Sequence, residues 1–295
     1  EDFRLKSKQN NFLFARDARI YRRSVLGLIG LGLVPPMVVT ALVSCRDQQT
    51  RQEVLPTVQM PLLNLPSIHN FRDVAGINEQ EPYRNQQGVA LRTRTLYRSG
   101  WISADDADAR RLRTLGVDVV YDLRPQEQRQ SHPDQVPEGV EYVPLFQSSA
   151  AHPPSSREQA TAPQSMEERM RFFVSDQGMR TRTVFLLEQM ALVDGAQVFH
   201  CTQGSDLTGW ITALLHTIVD LPQEVIMQDY LLSNERSKRE IESATDLPRV
   251  QASYLQAAMH EAASRHGSVQ RFINDGLRLS ADAQQRLRAK LLVSA

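Results

Sequence analysis

The sequence predicts an α/β fold from about Ser67 to its end, on three observations. Short β-branched runs alternate with stretches of helical periodicity, the pattern of strands joined by helices. No internal repeat competes with that reading. At 41% hydrophobic and 23% charged residues over 295 positions, the chain can bury a substantial core. The 34 basic and 34 acidic side chains balance, which argues against a nucleic-acid binder with its basic face.

The first 45 residues stand apart from that domain. From Val25 to Cys45 the chain carries no charge, and basic residues including Arg16, Arg19, Arg22 and Arg23 precede it. A basic region followed by an apolar one is the layout of an export signal, and the Arg22-Arg23 pair resembles the twin-arginine class. The run ends in Leu42-Val43-Ser44-Cys45, which resembles a bacterial lipobox with Cys45 as the lipidated residue. The sequence thus predicts an exported, membrane-anchored lipoprotein at the periplasm or cell surface. The alternative is an uncleaved transmembrane anchor, although Pro35-Pro36 would break its helix. Residues 46–66 read as a tether, and residues 67–295 as the folded domain.

Within the domain, Ser103 to Leu115 reads as a helix, with Ser103 as N-cap and Asp105 and Asp106 favouring its first turn. Leu115-Gly116 closes it, and Val117 to Leu123 follows as a buried strand. Glu141 to Leu145 is a second short strand. Residues 147–165, rich in Ser, Ala, Pro and Gln, read as a loop or lid. Met166 to Val193 is helical, with Gly178 a possible point of interruption. Gln197-Val198-Phe199 is a third strand, running directly into His200-Cys201.

Cys201-Thr202-Gln203-Gly204-Ser205-Asp206-Leu207-Thr208-Gly209 is a tight polar loop. Ile211, Leu214, Leu215, Ile218 and Val219 then recur at helical spacing. A strand, a glycine-bearing loop and a helix N-terminus turn several backbone N–H groups toward one point, and such a cradle binds anions. A thiol at its head sits in the helix field, which favours thiolate. Taken bare, the pattern also fits a buried cysteine packed as a small hydrophobe. His200 should point away from Cys201 if the strand pleat holds, as a bracing residue rather than a base. The histidines and two cysteines show no metal-binding spacing, so neither metal nor other cofactor is expected.

Several segments together carry a family resemblance. They are Asn70-Phe71-Arg72-Asp73-Val74-Ala75-Gly76, Leu96-Tyr97-Arg98-Ser99-Gly100, Asp122-Leu123-Arg124 with Glu127, Asp229-Tyr230-Leu231-Leu232-Ser233-Asn234, and Tyr254 to Leu292 with Gly267-Ser268-Val269. With the Cys201 loop, they resemble the bacterial atypical tyrosine and dual-specificity phosphatases, which include phosphoinositide-active members. The resemblance implies a cysteine-dependent phosphatase-like fold: a central, mostly parallel sheet flanked by helices, with a helical C-terminal part. It implies Cys201 as nucleophile, Asp206 as acid for the leaving oxygen, and Thr208 as a hydroxyl assisting the thiolate. Substrate contacts would come from Thr202, Gln203, Gly204, Ser205, Leu207, Thr208 and Gly209, with Arg72 and Asp73. The substrate would be a phosphorylated protein or a phosphoinositide.

The loop departs from that family at two positions: Ser205 stands where the family has Lys, and Leu207 where it has Arg. An arginine there grips two phosphate oxygens bidentately, which an apolar side chain cannot do. Losing two charge-assisted hydrogen bonds costs roughly 3–6 kcal/mol, on the order of 10²–10⁴ in rate. A phosphomonoester would then meet Asp206 with no cation in the loop. Three functions follow: a severely weakened phosphatase or pseudophosphatase, an active phosphatase borrowing Arg72, Arg98 or Arg124, or a rhodanese-like sulfurtransferase, whose chemistry also uses a loop cysteine.

Overall fold

Alternating side chains along five short strands divide the core in two. The computed structural model describes residues 65–145, 165–235 and 249–294. Cys45, the predicted export signal, nearly all of the predicted tether and residues 146–164 therefore lie outside the described residues. Strands β1 (Arg72–Asp73), β2 (Leu96–Ser99), β3 (Val117–Asp122), β4 (Glu141–Pro144) and β5 (Ala196–His200) form one sheet in the order β1-β2-β5-β3-β4. Only the β1–β2 pair is antiparallel; β2–β5, β5–β3 and β3–β4 are parallel. Tyr97, Val120, Ala196 and Val198 face a smaller cluster with Ile68, Phe71 and Leu112. Leu96, Val119, Tyr121 and Phe199 face the larger core on the other side. In β3 a register shift between Val117 and Val119 sets Val117 and Val120 on one face, because a bulge moves the alternation by one residue.

The helices cover both faces. Helix α1 (Asp106–Thr114) starts two residues later than the sequence suggests. Its N-cap is Asp105, whose carboxylate accepts the Asp108 N–H, while Ser103 Oγ donates instead to Ser67 O. Helix α2 (Gln126–Ser131) lies between β3 and β4. The long helical stretch after residue 165 is two helices, α3 (Met166–Ser175) and α4 (Gln177–Leu192). The break falls at Asp176, not Gly178: Asp176 takes an extended conformation and its side chain caps α4 at Met179 N. Helix α5 (Asp206–Ile218) follows β5 through the Cys201 loop and is buried at nearly every position, Trp210 completely. A helix buried all round sits inside the core rather than on it.

Helix α6 (Gln223–Leu231), α7 (Ala252–His266), the short α8 (Val269–Arg271) with its π-helical continuation Phe272–Gly276, and α9 (Ala281–Leu291) complete the chain. Gly267 ends α7 in the left-handed conformation, φ 89°, as a helix C-terminus favours. The fold is thus α/β with a mostly parallel sheet, flanking helices and a helical C-terminal part. No helix among the described residues is long and apolar enough to cross a membrane.

Asp176 terminates one helix and caps the next, so Asp176→Ala should cost about 1 kcal/mol, read as a lower urea midpoint at unchanged slope.

Candidate active site

Three parallel strands end near the loop that leaves β5, and each contributes to its seat. Cys201 Sγ accepts a hydrogen bond from Gly204 N–H at 3.3 Å, so the loop closes over its own thiol. The carbonyls point the other way. Asn70 Nδ2 donates to Gln203 O at 3.2 Å and to Gly204 O at 3.0 Å, and Arg98 Nη2 donates to Gly204 O at 2.8 Å. Because the carbonyls are bound from behind, the loop's N–H groups are left for the Cys201 side. Gly204 lies at φ +71°, and a Cβ there would meet Ser99 C at 2.4 Å and Gly100 N at 2.5 Å. Only glycine combines that conformation with that approach.

Behind the loop lies a buried ion network. Arg98 Nη1 donates to Asp229 Oδ2 at 2.8 Å, and Arg72 Nε reaches Asp229 Oδ1 at 3.4 Å. Arg72 also holds Asp229 O, Ser233 Oγ and Asn70 Oδ1. Burial pushes the Asp229 carboxyl up, but Arg72 and then Arg98 outweigh it and bring it down to about 2. Burial and then the Arg72 charge pull Arg98 down to about 10.

A second network lies under the head of the loop. Arg124 Nη2 donates to Asp122 Oδ2 at 2.7 Å and to Asp134 Oδ2 at 2.5 Å. Burial raises the Asp122 carboxyl, but its hydrogen bonds to Arg124 and then the nearby His200 outweigh that and bring it down to about 2. His200 is fully buried on the Val198 side of the sheet, with Nε2 3.3 Å from Asp134 Oδ2, while Cys201 packs against the larger core. The strand pleat therefore separates the two side chains as the sequence suggests. Asp122, Asp134 and His200 could offer ligand atoms within 4.8 Å of one another to a metal ion. Arg124 already donates to both carboxylates and offsets one of their two charges.

A cavity of about 370 Å³ opens onto Cys201, Thr202, Gln203, Asp206 and Leu207. Gly204, Ser205, Thr208 and Gly209 lie behind these, buried. Thr208 Oγ1 has no hydrogen-bond partner among the described residues. Asp206 shares the cavity with the thiol. Burial raises its carboxyl above the usual range, opposed by a hydrogen bond from Ser205 Oγ and by the Arg169 charge.

Arg72 and Asp73 do not line this cavity. Arg72 is spent on Asp229, and Asp73 accepts Ala75 N–H and Arg94 N–H in a buried turn. Arg98 acts on the loop from behind. Arg124 lines the wall, but its guanidinium is engaged by Asp122 and Asp134. None of the three arginines considered from the sequence stands where Leu207 is. The cavity does hold cations that sequence reasoning missed: Arg169 on α3 and Arg249 ahead of α7. Asp206 is therefore not left without a neighbouring positive charge. No sequence signal separates these two arginines from other exposed ones; only the packing of α3 against α7 reveals them.

A model of the tyrosine phosphatase family matches residues 63–293. The chain belongs to the tyrosine phosphatase family. Relatives from this tyrosine phosphatase family include a candidate tyrosine-protein phosphatase of Cupriavidus necator, 31% identical over 236 residues, covering 73% of this chain and 84% of that one. The triple specificity protein phosphatase PtpB of Mycobacterium tuberculosis is 28% identical over 204 residues, covering 60% and 70%. Among solved structures, P. aeruginosa TpbA is similar at a TM-score of 0.35 and 17% identity, covering 67% of this chain and 93% of that chain.

The two ion networks set the acid limit of this tyrosine phosphatase-family domain. Asp122 and Asp229 titrate near 2 when folded, against 3.8 for the free group. Their contribution is complete above about pH 4 and is lost as pH falls toward 2. Asp229→Asn leaves two buried guanidiniums without a counter-charge and should cost about 3–5 kcal/mol. Urea midpoints should show that loss at pH 7, with a shallower acid limb in the variant than in the unmodified chain.

Proposed function

We infer that this protein is an exported, lipid-anchored member of the tyrosine phosphatase family that has lost most or all catalysis and works as a pseudophosphatase. One observation carries the reading: the position of the loop arginine is filled by Leu207, and Arg72, Arg98 and Arg124 are all committed to buried carboxylates. In an active loop, the Cys201 thiolate would attack phosphorus and the ester oxygen would leave with a proton from Asp206. Water would then release phosphate from the cysteinyl-phosphate. Cys201 and Asp206 face one cavity, and the raised Asp206 carboxyl suits a proton donor. The missing element is the bidentate cation that follows the equatorial oxygens into the transition state.

The family suggests phosphotyrosine or another phosphoprotein side chain as the group bound. Export and anchoring at Cys45 rest on the N-terminal sequence. The loop itself keeps its closed shape and its backbone N–H groups, which supports retained anion binding rather than a collapsed site.

Hydrolysis of an aryl phosphate tests the reading on three forms: the unmodified chain, Cys201→Ser, and the double change Ser205→Lys/Leu207→Arg. The unmodified chain should match Cys201→Ser, and the double change should raise the rate by on the order of 10²–10⁴. Cys201-dependent turnover by the unmodified chain at the rate of the double variant would show that it is an active phosphatase. Sulfur transfer from thiosulfate to cyanide should be absent from all three.

A further inference from the structure

The cavity over Cys201 has a cation pair that does not belong to the loop. Arg169 lies on the face of α3 that also carries Met166 and Phe173, one helical turn to either side. All three line the cavity, as do Arg249 and Val250 on the segment entering α7. Both arginines are exposed, and neither makes an ion pair among the described residues. Their backbones are held in place. Asn234 receives Val250 N–H at 2.8 Å and donates to Val250 O at 2.9 Å. Ser253 Oγ donates to Glu167 Oε1 at 2.9 Å, which ties α3 to α7. The two arginines therefore line the cavity from two segments bonded to each other.

The rest of the lining is mixed: Gln128, Thr202, Gln203 and Tyr254 contribute polar groups beside an apolar part. Leu207, Phe173 and Leu123 are buried in the larger core and contribute to the cavity lining. Among the described lining residues the acid is Asp206, and Arg124 is neutralised by its own carboxylates. The balance favours an anion at the arginine wall and an apolar body in the remaining space. An aromatic ring can lay its faces on Leu123, Phe173 and Leu207, where a polyhydroxylated ring would leave the hydroxyls on that side without partners, which is costly.

We propose that Arg169 and Arg249 form a phosphate clamp that replaces the lost loop arginine for binding but not for catalysis, and that it retains an aryl phosphomonoester. The proposal rests on the pseudophosphatase reading for the absence of turnover. Held from the wall, the phosphate lacks the in-line placement over Cys201 Sγ that displacement at phosphorus needs. The aromatic body sits against the surface that Leu207 helps to make. Arg169 and Arg249 are then binding residues, and Leu207 is a specificity residue.

Calorimetric titration of the full chain tests this with three probes: phenyl phosphate, inorganic phosphate and inositol 1-phosphate. Phenyl phosphate should bind most tightly. Arg169→Gln and Arg249→Gln should each weaken it roughly tenfold, the effect of one partly solvated charge-assisted bond. Arg286→Gln removes a fully exposed arginine from α9 and should change nothing, which controls for net charge. Unaltered phenyl phosphate affinity in both clamp variants, or no binding by the unmodified chain, would overturn the clamp. Inositol phosphate or inorganic phosphate binding as tightly as phenyl phosphate would overturn the aryl assignment. Phosphate release is scored on the same samples against the Ser205→Lys/Leu207→Arg variant. Fast release by the unmodified chain would overturn the pseudophosphatase reading, whereas intact binding without release in the clamp variants would overturn the clamp alone.

Discussion

A single carboxylate, Asp229, organises the molecule by standing between two arginines from adjacent strands. Arg72 comes from β1 and Arg98 from β2, and neither could be buried without a counter-charge. Asp229 arrives on α6 from 131 residues further along the chain than Arg98, so the pairing can form only when the C-terminal helices dock on the sheet edge. Arg98 then has donors left over for Gly204 O. With Asn70, it pins the carbonyl side of the Cys201 loop. The loop's geometry therefore depends on a contact between the sheet and the helical half, not on its own side chains at 205 and 207.

The loop holds its form through its neighbours. Here Gly204 is confined by Ser99 and Gly100, and Sγ still receives the Gly204 N–H. The scaffold holds this curve of backbone through contacts that do not involve the side chains at 205 and 207.

The fold was readable in the sequence wherever local rules decide it. Strand β3 stands out because a β-branched run follows a glycine C-cap, and α5 because its apolar positions recur at helical spacing over two turns. The Cys201 loop stands out because a strand, a glycine and a helix meet within nine residues. Local rules failed where tertiary contacts choose between equivalents. Ser103 and Asp105 both suit an N-cap, and Ser103 is taken by Ser67. Asp176 and Gly178 both suit a break, and only Asp176 can cap the helix that follows. The arginines were the hardest to assign. Arg72, Arg98 and Arg124 lie in recognisable motifs yet face carboxylates distant in sequence or on the far side of a turn. Arg169 and Arg249 lie in no motif and reach the cavity through helix packing alone.

Leu207 also bears on stability. Its side chain is 9% exposed and packs into the larger core. Burying a leucine contributes roughly 2 kcal/mol relative to leaving it in water. A guanidinium there would forfeit that burial and set a charge at the edge of the apolar core, which is costly unless it is paired. Enzymes commonly carry strain of this kind where they act on charged substrates, and relieving it stabilises the folded chain. Leu207 thus serves as ordinary core at the edge of the cavity, and the folding equilibrium favours keeping it there.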